Sequence, residues 1–109
     1  MIELISPERC TACNICVNAC PTNVFEAVAG APPRIARQDD CQTCFMCELY
    51  CPEDALYVAP IADRRASADE REPATKELVG SYRRAIGWGR GRQSTASADA
   101  SFELLRRAH

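Results

Sequence analysis

Eight cysteines carry most of the chemistry this chain can offer, and all of them lie between Cys10 and Cys51. They form two runs, Cys10-Thr-Ala-Cys-Asn-Ile-Cys-Val-Asn-Ala-Cys-Pro21 and Cys41-Gln-Thr-Cys-Phe-Met-Cys-Glu-Leu-Tyr-Cys-Pro52. Both follow the spacing C-x2-C-x2-C-x3-C-P, 31 residues apart. Thiolates hold iron–sulfur clusters, and this spacing is one of their ligand patterns. Three cysteines separated by two residues wrap a tight loop around one face of a cube, each sulfur meeting a different iron. The fourth follows on a short helix that leads away, so its sulfur points at the other cluster. The spacing thus assigns Cys10, Cys13, Cys16 and Cys51 to cluster I, and Cys41, Cys44, Cys47 and Cys20 to cluster II, both [4Fe–4S]. Pro21 and Pro52 stop the short helices and turn the chain away from the clusters.

Other chemistries fit the residues less well. Paired CxxC motifs also make structural zinc sites, but zinc ribbons separate their pairs and add no third cysteine at the next x2 spacing. A disulfide framework belongs to exported chains. The segment Met1-Ile-Glu-Leu-Ile-Ser-Pro7 has neither the basic stretch nor the apolar run of an export signal. No stretch approaches the roughly 18 to 20 apolar residues of a membrane span. The expectation is a cytoplasmic chain in which clustered cysteines bind metal. No nucleophilic triad can be assembled, because the cysteines are taken as ligands and His109 is the only histidine. Phe45, Tyr50 and Tyr57 read as packing around the clusters rather than electron relays. No flavin, nucleotide or substrate motif is present.

The elements that must position these thiols follow from the flanks. Pro21-Thr-Asn-Val-Phe25 answers Pro52-Glu-Asp-Ala-Leu56, so the repeat extends beyond the ligands. Each unit reads as loop, short helix, turn and strand. Residues 2–5 form an alternating strand before the first loop, and residues 55–58 one after the second. Between the units, residues 25–28 and 34–36 flank Gly30-Ala-Pro-Pro33, a hairpin turned by Gly and Pro. A core this small needs a staple, and metal binding would supply much of the folding free energy.

The chain divides by charge. Residues 1–59 hold three arginines against eight acids, and residues 60–109 hold ten basic residues against seven acids. Residues 60–72 lack apolar periodicity and read as a linker. Residues 73–86 read as one helix with Pro73 in its first turn and Leu78, Val79, Tyr82 and Ile86 as a narrow apolar stripe. Gly87-Trp-Gly-Arg-Gly-Arg92 reads as an irregular segment. Residues 93–100 have a composition near that of disordered chains, and a last short helix is expected over 101–107.

The two cysteine runs resemble the bacterial-type two-[4Fe–4S] ferredoxin family over residues 1–59. The resemblance implies an α+β fold, a pseudo-twofold (βαβ)2 dicluster domain extended here by a C-terminal helical tail. It also implies low-potential electron transfer with no bond chemistry of the chain's own. Family members often carry Gly after the second cysteine of a motif, where this chain has Asn14 and Phe45. Bulk there bears on N–H···S hydrogen bonds and water access, which tune potential.

Residues 73–109 exceed what a freestanding ferredoxin requires. One reading folds this tail back on the ferredoxin part. Another makes it a basic nucleic-acid arm, which the interleaved acids and the pI of about 5.4 disfavour. The favoured reading is a docking tail that lays Tyr82, Ile86, Trp88, Phe102 and Leu105 on another subunit. That architecture resembles small iron–sulfur subunits such as the beta subunit of adenylylsulfate reductase. It implies a heterodimer or heterotetramer with a flavoprotein of the fumarate reductase type, with FAD on the partner. A freestanding ferredoxin serving several enzymes is the alternative, and a nucleic-acid or regulatory iron–sulfur module is more remote.

Overall fold

A computed structural model describes residues 1–69, 71–89 and 91–95. Its first 58 residues run β1 (Ile2–Ile5), α1 (Ile15–Ala19), β2 (Phe25–Val28), β3 (Ala31–Ile35), a single 3₁₀ turn (Gln38–Asp40), α2 (Met46–Tyr50) and β4 (Leu56–Val58). β1 pairs antiparallel with β4, with Ile2 opposite Val58 and Ile5 opposite Leu56. β2 pairs antiparallel with β3, with Phe25 opposite Ile35. Each repeat therefore gives its two strands to different two-stranded sheets, and both sheets join one half to the other.

The repeat is written into the backbone. α1 and α2 start 31 residues apart, and so do three pairs of left-handed residues: Ala12 and Thr43, Asn14 and Phe45, Asn23 and Asp54. Such φ values are uncommon outside Gly and cost of order 1 kcal/mol or more each. They persist because each loop must curl tightly enough to present three thiols. The core between the sheets is Ile2, Val24, Phe25, Leu56 and Val58, with Cys16, Cys47 and Cys51 among its buried members. A core built partly of cysteine depends on what those cysteines hold.

The hairpin is tighter than the sequence indicates. β3 begins at Ala31 and runs through Pro32 and Pro33, leaving Ala29-Gly30 as the turn. Proline is tolerated here because each sheet has only two strands, so every strand is an edge.

The single helix expected over residues 73–86 is two, α3 (Pro73–Leu78) and α4 (Ser81–Ile86). Gly80 interrupts it with φ of 72°. Its N–H leaves the helical ladder and donates to Leu56 O at 2.7 Å. The apolar stripe breaks with it, since Val79 is buried while Leu78 and Tyr82 stay on the surface. Residues 60–69 contain no helix or strand, yet Ala66 N–H reaches Glu3 Oε1 at 2.8 Å. No helix among the described residues is long and apolar enough to cross a membrane. The expected helix over 101–107 lies outside the described residues, as do Phe102, Leu105 and His109.

Candidate metal centre

The two cysteine loops sit at the starts of α1 and α2. Asn14 and Phe45, with φ of 60° and 63°, take the position that family members often give to Gly. The left-handed turn explains that preference: Asn adopts it readily by local hydrogen bonding, whereas Phe does so at a steric cost. The loops turn backbone N–H groups toward sulfur. Ala12 N–H lies 3.4 Å from Cys10 Sγ, and Thr43 N–H lies 3.4 Å from Cys41 Sγ. After the helices, Val24 and Ala55 N–H groups lie 3.4 Å from Cys20 and Cys51 Sγ.

Cys10, Cys13, Cys16 and Cys51 line one cavity, walled also by Pro33 and Leu56. Cys51 comes from the second repeat, so the cavity draws its fourth thiol across the molecule. Burial pushes the Cys16 thiol up to about 11, with the charges of Cys51, Cys10 and Cys13 adding to it. Burial likewise raises Cys51, against the pull of the Ala55 and Glu53 N–H groups. In the second loop, burial drives the Cys47 thiol up, and Cys41 and Cys44 reinforce the shift. Cys20 differs. Burial would raise it, but the N–H groups of Val24, Thr22 and Asn23 and the Thr22 hydroxyl bring it below the ordinary thiol value.

Thiolates crowded this way repel one another unless cations stand between them. A tetrahedral zinc, with Zn–S bonds of about 2.3 Å, would draw its four sulfurs to within about 4 Å of each other. Among the described residues no three His, Cys, Asp or Glu side chains gather around a single-ion site. Four thiols that share a cavity without closing on one ion suit a polyatomic group. Two buried polar atoms in the loops, Asn14 Oδ1 and Thr43 Oγ1, have no protein partner. Asn14 also lines the cavity of the four thiols. The thiols of that cavity fit an iron–sulfur cluster, and the second loop repeats their spacing and left-handed backbone.

Glu48 was not singled out by sequence reasoning, yet it links the two parts of the chain. It follows Cys47 in α2 and is fully buried. Val58 N–H donates to its Oε1 at 2.8 Å, and Tyr82 N–H donates to its Oε2 at 2.7 Å. The carboxylate of α2 thus caps the first turn of α4, the role an N-cap side chain usually fills locally. Burial raises its pKa, opposed by the N–H groups of Val58, Tyr82 and Arg83 and by the Arg84 charge. The only signal in the sequence is an acid inside the x3 gap, where the first run has Val17.

A second anchor is Asp54, which pairs with Arg92, Arg83 at 3.4 Å and Arg84 at 3.9 Å. Arg9 from the first loop donates to Asp54 O and Val79 O, and Arg83 donates to Leu49 O. Rings complete the contact. Phe45 and Tyr82 stack with centroids 4.5 Å apart, and Tyr50 meets Trp88 edge-on at 5.4 Å. Of the expected docking residues, Tyr82 and Trp88 therefore already touch the second repeat, and Ile86 is half-buried. A cavity of about 150 Å³ lies away from the thiols, between the first loop and α3.

Comparison with known proteins agrees with this geometry. The 4Fe-4S dicluster domain profile matches residues 9–56. A ferredoxin of Methanothermococcus thermolithotrophicus is 48% identical over 46 residues, covering 42% of this chain and 75% of that protein. An uncharacterized ferredoxin of Methanocaldococcus jannaschii is 48% identical over 48 residues, covering 44% of this chain and 76% of that one. The ferredoxin-type protein NapF of Escherichia coli (strain K12) is 38% identical over 46 residues, 41% of this chain but only 28% of its own length. No solved structure matches the chain. With paired cysteine loops of matched backbone and relatives that are ferredoxins over most of their length, the chain belongs to the bacterial-type dicluster ferredoxin family and carries two [4Fe–4S] clusters.

Proposed function

We propose that this chain is the iron–sulfur subunit of a heteromeric oxidoreductase, exchanging electrons with a flavoprotein of the fumarate reductase or adenylylsulfate reductase type that carries FAD. Its clusters, when bound, supply one-electron transfer. Cys10, Cys13, Cys16 and Cys51 hold one and Cys41, Cys44, Cys47 and Cys20 the other, related by a pseudo-twofold of two βαβ halves. The shared cavity and the 31-residue repeat of the left-handed residues support that assignment. The protein's own work is to keep thiolates at fixed spacing, aim N–H groups at their sulfurs and exclude water from their buried sides.

The observation that carries the partner reading is an exposed aromatic edge beside the second loop. Tyr50, Tyr82 and Trp88 retain 45%, 38% and 42% of their surface although each meets another ring. Aromatic side chains held rigid and half-exposed are common anchors of protein contacts. The contact is then a preformed face more than a free arm.

The same clasp supports a second reading, a freestanding ferredoxin, because a segment tied down by Glu48 and Asp54 has an intramolecular role already. Affinity capture with the full-length holo protein from its native extract separates the two. The subunit reading expects one flavin-containing protein in a fixed ratio, bound about tenfold more weakly by Trp88→Ala, with iron content unchanged. Capture of several unrelated redox enzymes, or indifference to Trp88→Ala, favours the freestanding carrier.

A further inference from the structure

The 31-residue offset pairs each group near a sulfur in one half with a counterpart in the other. Four contacts match across the halves: Ala12 to Cys10, Thr43 to Cys41, Val24 to Cys20 and Ala55 to Cys51. Two do not. Ile2 N–H donates to Cys41 Sγ at 3.3 Å. The counterpart of Ile2 is Pro33, which has no N–H, and Pro33 lines the cavity beside Cys10 and Cys51. Thr22 Oγ1 lies 3.7 Å from Cys20 Sγ. Its counterpart is Glu53, a carboxylate that also borders that cavity.

Both differences fall on the same side. Reduction adds negative charge to a cluster, and donors to sulfur stabilise that charge while a nearby carboxylate opposes it. Among the described residues, Cys41 and Cys20 together make four such contacts of 3.3 to 3.7 Å, and Cys10 and Cys51 two of 3.4 Å. Longer approaches are made by the Thr22 and Asn23 N–H groups to Cys20 and by the Glu53 N–H to Cys51. We infer that the Ile2 N–H and the Thr22 hydroxyl set the two clusters apart, so that the first electron to enter rests on the cluster of Cys41, Cys44, Cys47 and Cys20. The inference rests on the cross-ligation proposed above. No bond forms or breaks, and an external one-electron donor supplies each electron.

Charges farther out act the other way and are weaker. Arg83, Arg84 and Arg92 stand on the Cys51 side, but they face Asp54 and main-chain carbonyls. Arg84 keeps enough exposure for salt to screen it, while the more buried Arg83 and Arg92 spend their charge on the Asp54 carboxylate. The Glu48 carboxylate beside Cys47 turns its oxygens to the Val58 and Tyr82 N–H groups. Donors in direct contact with sulfur therefore decide the order.

The test is a potentiometric titration of the full-length holo protein with dithionite, followed by electron paramagnetic resonance, with iron and sulfide counted in each variant. The native protein is expected to reduce in two resolved steps. Thr22→Val should lower the upper step alone, and Thr22→Ser, which keeps the hydroxyl, should restore it. Pro33→Ala supplies an N–H beside Cys10 and should raise the lower step alone. An upper step unmoved by Thr22→Val overturns the role of the hydroxyl, and a lower step unmoved by Pro33→Ala overturns that of the Ile2 N–H. If both variants shift the same step, the cross-ligation fails rather than the donor rule. Should Pro33→Ala load poorly, the Thr22→Val and Thr22→Ser pair still decides.

Discussion

At the scale of single residues, the two halves differ most where one has an apolar or amide side chain and the other a residue with a long-range partner. Val17 corresponds to Glu48, Asn14 to Phe45 and Asn23 to Asp54, and each second-half member meets the C-terminal segment. Glu48 has the largest consequence because it is buried and serves two donors. Glu48→Ala leaves the buried Val58 N–H and the partly buried Tyr82 N–H without their acceptor, a loss of about 1–3 kcal/mol for a buried donor and less for the other. A loss of about 2–4 kcal/mol is expected for the pair. Glu48→Gln keeps one acceptor oxygen and should lose about half as much. Urea unfolding of the holo variants, read by cluster absorbance, measures both.

At the scale of elements, the C-terminal segment owes its position to one glycine and one carboxylate. A Cβ on Gly80 would lie 2.4 Å from Asp54 Cβ, in a backbone conformation that side chains disfavour. Gly80→Ala should therefore cost about 2 kcal/mol or more. The loss should appear first as release of α4, read by the emission of Trp88, the only tryptophan. Asp54 gives the clasp its pH dependence. Burial alone would raise its carboxyl, but the hydrogen bonds and charges of Arg92 and Arg83 hold it below the usual carboxylate range. A depressed folded value means the stabilisation is complete above the free-carboxylate range and is lost as pH falls through the folded value. The native protein should thus exceed Asp54→Asn by a constant margin from neutral pH to about pH 5. That margin should close only in stronger acid, with the Trp88 signal after brief pH jumps as the measure.

At the scale of the whole molecule, three of the proposed ligands are also part of the core. Cys16, Cys47 and Cys51 belong to the buried cluster with Ile2, Val24 and Leu56, so binding and folding are coupled. Anaerobic iron analysis should give about eight iron atoms per chain by the ligand pattern. Stripping iron with a chelator should collapse the strand and helix signals in circular dichroism rather than leave a folded shell. A folded protein without iron would contradict that coupling. The matched halves make both sheets depend on contacts between the repeats, so neither half is expected to fold alone.

The repeated cysteine spacing, the short helices that follow it and the family were legible in the sequence, because spacing along a chain is local and cluster ligation tolerates few spacings. Pro21 and Pro52 marked the helix ends for the same reason. The division of residues 73–86 into two helices was not legible, since Gly80 leaves the ladder for a carbonyl on β4. Nor was the work of Glu48, whose two partners lie 10 and 34 residues away. The difference between the sulfur environments was equally hidden: Pro33 matters only because Ile2, 39 residues before Cys41, donates to it in the other half. Sequence alone determined the family and the two clusters it carries. The tertiary structure decided which other atoms face those sulfurs and where the C-terminal segment lies, because both depend on contacts that local propensity does not encode.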